Sequence, residues 1–181
     1  MRTLACDSDV EVIGSAMLSI INNVQGYEIR PILDQHNLTD IDSDTWYPAQ
    51  KWLDVMNDLA KKPSATTNDV AIGMKIAENV VLPPQLKSAT LAQILQSWDT
   101  IYQKQHRGKN IGYKEVQKID DTSYRVILAD LYPDDLSYGV AYGFCRRFLP
   151  NGSHFTVKYE NIHKRRDKGG ADTTVLLINW S

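Results

Sequence analysis

At Gly108 the apolar residues of this chain change their spacing, and that change limits what the chain can fold into. Before Gly108 the apolar residues recur every three or four positions, as one face of a helix requires. In "TLAQILQSWDTIYQKQHRG", Leu91, Ile94, Leu95, Trp98, Ile101 and Tyr102 form one stripe. Thr90 and Gln93 have the spacing of a capping box. His106 and Arg107 suit the negative end of the helix dipole, and Gly108 supplies the stop. After Gly108, "GYKEVQKID" and "SYRVILADL" predict two strands joined at Asp120-Asp121.

The rest of the chain keeps to this division. Val10, Ile13, Met17, Ile20, Ile21 and Val24 predict a first helix that stops at Gly26. A short helix follows over 28–35, because Pro31 belongs in a first turn. Asp44 or Thr45 can cap a third helix that places Ala49, Leu53, Met56 and Ala60 on one face and ends at Pro63. A weaker helical pattern covers Thr67 to Val81, before Pro83-Pro84. Beyond the two strands, "DDLSYGVAYGFCRRF" predicts a helix capped by Asp134 or Asp135. On it Gly139 and Gly143 leave a flat strip that a sheet or a second copy of the chain could approach closely. Phe155 to Tyr159 and Thr174 to Trp180 close the chain as strands. About four helices and then strand-strand-helix-strand-strand make an α+β fold. The expected organisation is one domain over 1–181, with a helical part over about 1–109 and an α/β part over about 110–181.

Composition sets outer limits on function. Lys plus Arg number 20 against 22 Asp plus Glu, a net charge of −2, which argues against a general nucleic-acid binder. The two cysteines, Cys6 and Cys145, lie far apart and fit no zinc spacing, as expected of free thiols in a reducing compartment. With no targeting segment and no apolar run of membrane-spanning length, the expectation is a cytoplasmic protein.

Motifs for chemistry are sparse. There is no GxSxG, no phosphate loop and no histidine pair at metal-ligand spacing. Asp120-Asp121 and Asp134-Asp135 stand where turns and helix starts favour aspartate, so no catalytic residue is assigned. Trp98 and Tyr102, one turn apart, are the candidate lining of a pocket between helices and sheet. The run "HKRRDKGG" offers Lys164, Arg165, Arg166 and Lys168, with His163, as a candidate anion-binding loop in a solvated connection between the last strands.

Three stretches carry a resemblance. "VIGSAMLSIINNVQGYEIRPIL", "LQSWDTIYQKQH" and "FTVKYENIHKRRDKGGADTTVLLINW" resemble the opening helix pair, the haem-ligating helix and the closing hairpin of the haem-nitric-oxide/oxygen-binding (H-NOX) domains. The 4-vinyl-reductase-like sensor domains are similar as well. The resemblance covers most of the chain and implies an H-NOX-like fold. It also implies a haem site at which Tyr102 stands in the place of the proximal histidine, with His106 one turn later. A phenolate can ligate haem iron. The family's Tyr-x-Ser-x-Arg motif, which holds the haem propionates, has no counterpart in "DDLSYGVAYGF", and that departure weighs against haem.

The expected function is a non-enzymatic sensory or interaction module that binds a small apolar ligand or a signalling protein. The alternatives are a haem gas sensor that uses Tyr102 or His106 and a binder of an anionic partner or nucleic acid through the 163–168 loop. A homodimer is compatible with the glycine strip and an open sheet edge.

Overall fold

The structure is a computed structural model that describes residues 2–62, 68–82, 84–86 and 88–181. The elements run β1 (Glu11–Ile13), α1 (Gly14–Ile21), α2 (Gly26–Gln35), β2 (Trp46–Pro48), α3 (Ala49–Ala60), α4 (Asp69–Asn79), α5 (Leu91–Gln105), β3 (His106–Arg107), β4 (Lys114–Asp120), β5 (Ser123–Leu128), α6 (Asp134–Phe148), β6 (Phe155–Tyr159) and β7 (Thr174–Trp180). The α+β class and the β-β-α-β-β order after Gly108 are as the sequence predicts. The last four strands form an antiparallel sheet of spatial order β4-β5-β7-β6. Its inner face alternates as a half-buried sheet should, with Tyr124, Val126 and Leu128 of β5 beside Leu176 and Ile178 of β7 all buried.

Several local expectations are corrected. Glu11–Ile13 is a strand, and it pairs with β2 on one side and β3 on the other. Three short strands therefore form a second sheet within what reads as helix. His106 and Arg107 belong to that sheet and not to a last helical turn. Gly26 begins α2, and Pro31 lies inside it. Neither Asp44 nor Thr45 caps α3, whose N-cap is Pro48. α6 starts after Pro133, which puts Asp134 and Asp135 in its first turn. The capping box of Thr90 with Gln93 is present. The helix start at Thr67 and the breaks at Pro63 and Pro83 fall outside the described residues.

The packing does not divide where the period changes. One core gathers α1, α2 and α3 with Tyr102, Leu131, Tyr132 and Leu136. The other sets Leu91, Ile94, Leu95 and Trp98 of α5, with Ala77 of α4, against the sheet and α6. α5 thus contributes Leu91 to Trp98, about its first two turns, to one core and Tyr102 to the other. α4 lies directly on α6. A Cβ on Gly73 would come 2.2 Å from the carbonyl oxygen of Leu136, and one on Gly139 would come 2.2 Å from that of Val70. Only glycine allows backbones to meet this closely. Gly143 faces Met74 and Ala77 in the same way. The glycine strip is therefore filled from within the chain by α4, and it is not a surface for a second copy. Among the described residues no helix is long and apolar enough to cross a membrane.

Candidate functional site

The residues singled out on α5 meet the loop between β5 and α6 at the junction of the two cores. Trp98 and Tyr102 are both buried on the inner side of α5. The Tyr102 hydroxyl donates to the carbonyl of Ile111 and accepts from the Leu131 N–H at 3.3 Å. Burial, with the nearby Asp130 carboxylate, raises its pKa far above that of an ordinary phenol.

His106 is buried in β3, and its ring lies 4.3 Å from that of Tyr102. Nδ1 is 2.9 Å from the Tyr102 carbonyl and Nε2 is 2.8 Å from the Tyr132 hydroxyl. A carbonyl can only accept, so Nδ1 carries the proton. Burial lowers the pKa of the ring to about 4, so it is neutral near pH 7 and Nε2 is an acceptor for the Tyr132 hydroxyl. Both nitrogens are occupied.

Beside the aromatic group runs a band of buried charge in which the sequence singles out Arg165 and Arg166, for a different role, but neither Lys114 nor Asp130. Lys114, at the start of β4, pairs with Asp130, and both side chains are buried. Its Nζ also lies 4.0 Å above the Tyr102 ring and 5.6 Å from the Trp98 ring. The next cation along is Arg166. Its Nε and Nη2 donate to Asp134 Oδ1 at 2.9 and 2.7 Å, and Nη1 and Nη2 donate to the carbonyls of Asp130 and Tyr132. Thr174 Oγ1 donates to Asp134 Oδ2 at 2.7 Å. Asp134 and Asp167 exchange backbone bonds, each N–H donating to the other's carboxylate. Arg165 donates to Asp135 at 2.7 Å and stacks on Tyr159, while its buried Nε stands 3.8 Å from Asp134 and has no hydrogen-bond partner. The polar groups of the band are otherwise closely matched, which is what a buried ionic network requires.

The basic run is therefore split. Arg165 and Arg166 are buried and bound to carboxylates, contrary to the expected solvated loop. His163, Lys164 and Lys168 are exposed. Lys168 borders a cleft of about 620 Å³ together with Asp69, whose carboxyl is raised to about 6 by burial and by Asp135 and Asp167. Cys145 is buried, which pushes its thiol up to about 12, so it is not a ready nucleophile.

On the apolar side of the junction lies a cavity of about 120 Å³. Ala16 and Ile20 of α1, Ile76 of α4, Trp98 and Ile101 of α5 and Val140 of α6 line it, together with Lys114 of β4. One signal in the sequence marks Lys114. It shares its side of β4 with Val116, so alternation turns a lysine inward.

The fold has known counterparts. No family model matches the sequence, and no curated protein matches it. Among solved structures the chain is similar to an oxygen-binding H-NOX domain related to soluble guanylate cyclases (TM-score 0.66, 10% identity, 93% of this chain and 92% of that one). It is also similar to an H-NOX protein from S. oneidensis in its Fe(II)NO state (TM-score 0.64, 12% identity, 93% and 99% covered). A point mutant of T. tengcongensis H-NOX gives a TM-score of 0.64 at 12% identity, with 93% and 94% covered. The chain has the H-NOX fold.

The residues present do not fit a haem. An iron ligand needs a free lone pair, yet His106 Nε2 accepts from Tyr132, and the Tyr102 phenol is held protonated by its surroundings. Propionates need unpaired cations, yet Lys114, Arg165 and Arg166 face the chain's own aspartates. The cavity beside these groups is also far below the ~300–1,000 Å³ usual for sites that bury a drug-sized ligand.

Proposed function

We propose that this domain is a haem-independent sensory or interaction module built on the H-NOX fold. One observation carries the reading: among the described residues the candidate iron ligands Tyr102 and His106 and the buried cations Lys114, Arg165 and Arg166 are each paired with a neighbour from the same chain. α4 and α6 both line the cavity, and they meet backbone to backbone through Gly73 and Gly139. A molecule in the cavity, or a partner that displaces α4, would bear on the contact that joins the helices to the sheet. Such a molecule shifts the balance between two arrangements only by its different affinity for each.

The experiment is a haem titration of the purified protein, followed by absorption and thermal melting. The expected result is the spectrum of free haem and an unchanged melting temperature. A protein-bound Soret band together with a higher melting temperature would overturn the reading in favour of a haem sensor.

A further inference from the structure

We infer that the junction cavity is a binding site for a small uncharged molecule of about benzene size, with an apolar body and one hydrogen-bond acceptor directed at Lys114. The inference rests on the haem-independent reading and adds the chemistry of the ligand.

Size comes first. The cavity is about 120 Å³. An apolar cavity of about 150 Å³ stays dry and holds benzene. One ring or a short aliphatic chain therefore fills this cavity, and a longer ligand would have to extend into the groove along α5.

The walls decide polarity. Ala16, Ile20, Ile76, Ile101, Val140 and Phe144 make most of the wall hydrocarbon, with Ser19, Gln105, Tyr132 and Ser137 at its polar points, so the body of the ligand is apolar.

The charge band decides the remaining group. Lys114 and Arg166 are matched by Asp130 and Asp134. A charged ligand would add an unmatched charge to a buried, balanced site, at a large desolvation cost. A neutral acceptor adds none. The Lys114 ammonium has three N–H donors. The carboxylate it reaches is Asp130, and its other close neighbours are the faces of Tyr102 and Trp98. A carbonyl or hydroxyl oxygen in the cavity would give the ammonium a stronger partner than a ring face does.

A way in is visible. Val80, Leu82, Ile101 and Gln105 line both the cavity and an open groove on the surface along α5.

The test uses the whole haem-free chain, ¹⁵N-labelled, titrated with benzene, cyclohexanone, hexanoate and hexylamine. Benzene and cyclohexanone are expected to shift the amide signals of Ala16, Ile76, Ile101 and Val140. Cyclohexanone should bind roughly tenfold tighter, the gain typical of a hydrogen bond to a charged donor. Val140→Phe, which puts a ring into the cavity, should abolish both titrations. If that variant does not fold, the location of the shifts in the unmodified protein carries the test alone. The inference is overturned if neither neutral probe shifts these signals, if a charged probe binds better, or if folded Val140→Phe binds as before. None of those outcomes touches the haem-independent reading, which is overturned only by a protein-bound Soret band with a higher melting temperature.

Discussion

The two sides of the junction between helices and sheet are built in opposite ways. On the side facing the 160–174 connection, Lys114, Asp130, Asp134, Arg165 and Arg166 are joined into one network with almost every hydrogen bond made. On the side facing α1 and α4, hydrocarbon walls leave about 120 Å³ unfilled. Buried charge tolerates little movement, because a broken pair leaves an uncompensated ion. Apolar contact is non-directional and can be remade after a small shift. On these grounds the polar side is expected to hold fast, and the apolar side to be the one that yields. A sensor that worked through this junction would be expected to change on the apolar side.

The largest expected effect follows from breaking the polar side. Arg166→Met removes both donors to Asp134 Oδ1 and leaves a buried carboxylate without its close ion-pair partner, held only by Thr174 and the Asp167 N–H. The expected loss is ~3–5 kcal/mol in urea denaturation. A loss below ~1 kcal/mol would mean that the network is replaceable and that the two sides do not differ as described.

Acid is the next lever. The pKa of His106 falls from an unfolded value near 6.5 to about 4 in the folded chain. Between those values the unfolded chain holds the extra proton, so stability is full above pH 6.5 and declines as pH falls toward 4. The span corresponds to ~3 kcal/mol. Asp69, raised to about 6, has the opposite sign, so its contribution to stability grows as pH falls below 6 and offsets part of the decline. His106→Asn should lower stability at pH 7 and flatten this acid limb relative to the natural chain. Parallel melting curves for the two proteins from pH 7 to 4 would show that His106 is not the group responsible.

Much of the fold was legible from the sequence, and the reasons are physical. α5 and the strands from β4 onward follow periodicity because each has one face in a core and one in solvent. The small β2-β1-β3 sheet was not legible. Its strands are two or three residues long, and Val10, Ile13 and Met17 happen to continue the helical spacing of α1. The site was half legible. Trp98 and Tyr102 lie on the apolar stripe of α5, which points inward, whereas His106 reads as a helix-end residue and is instead buried in β3. Arg166 follows no such stripe, since it is an arginine in a basic run, and only the tertiary approach of Asp134, 32 positions away, makes it a core residue. Asp134 was misread for a related reason, because a first-turn aspartate looks like a cap whatever else it binds.

The smallest expected effect separates the two kinds of cation in that run. Lys164 and Lys168 are exposed, whereas Arg165 and Arg166 are buried. Lys164→Ala and Lys168→Ala should each change stability by no more than ~0.5 kcal/mol, the usual range for surface substitutions away from special features. The same pair tests what remains of the anion-binding loop. With two of the four cations bound to aspartates, the chain should not retain a short DNA duplex or an acidic peptide at moderate salt. Retention that falls steeply with salt, and is lost in the double lysine variant, would restore a binding role to the exposed part of the run. The buried arginines would remain part of the fold either way, because their partners are inside the chain.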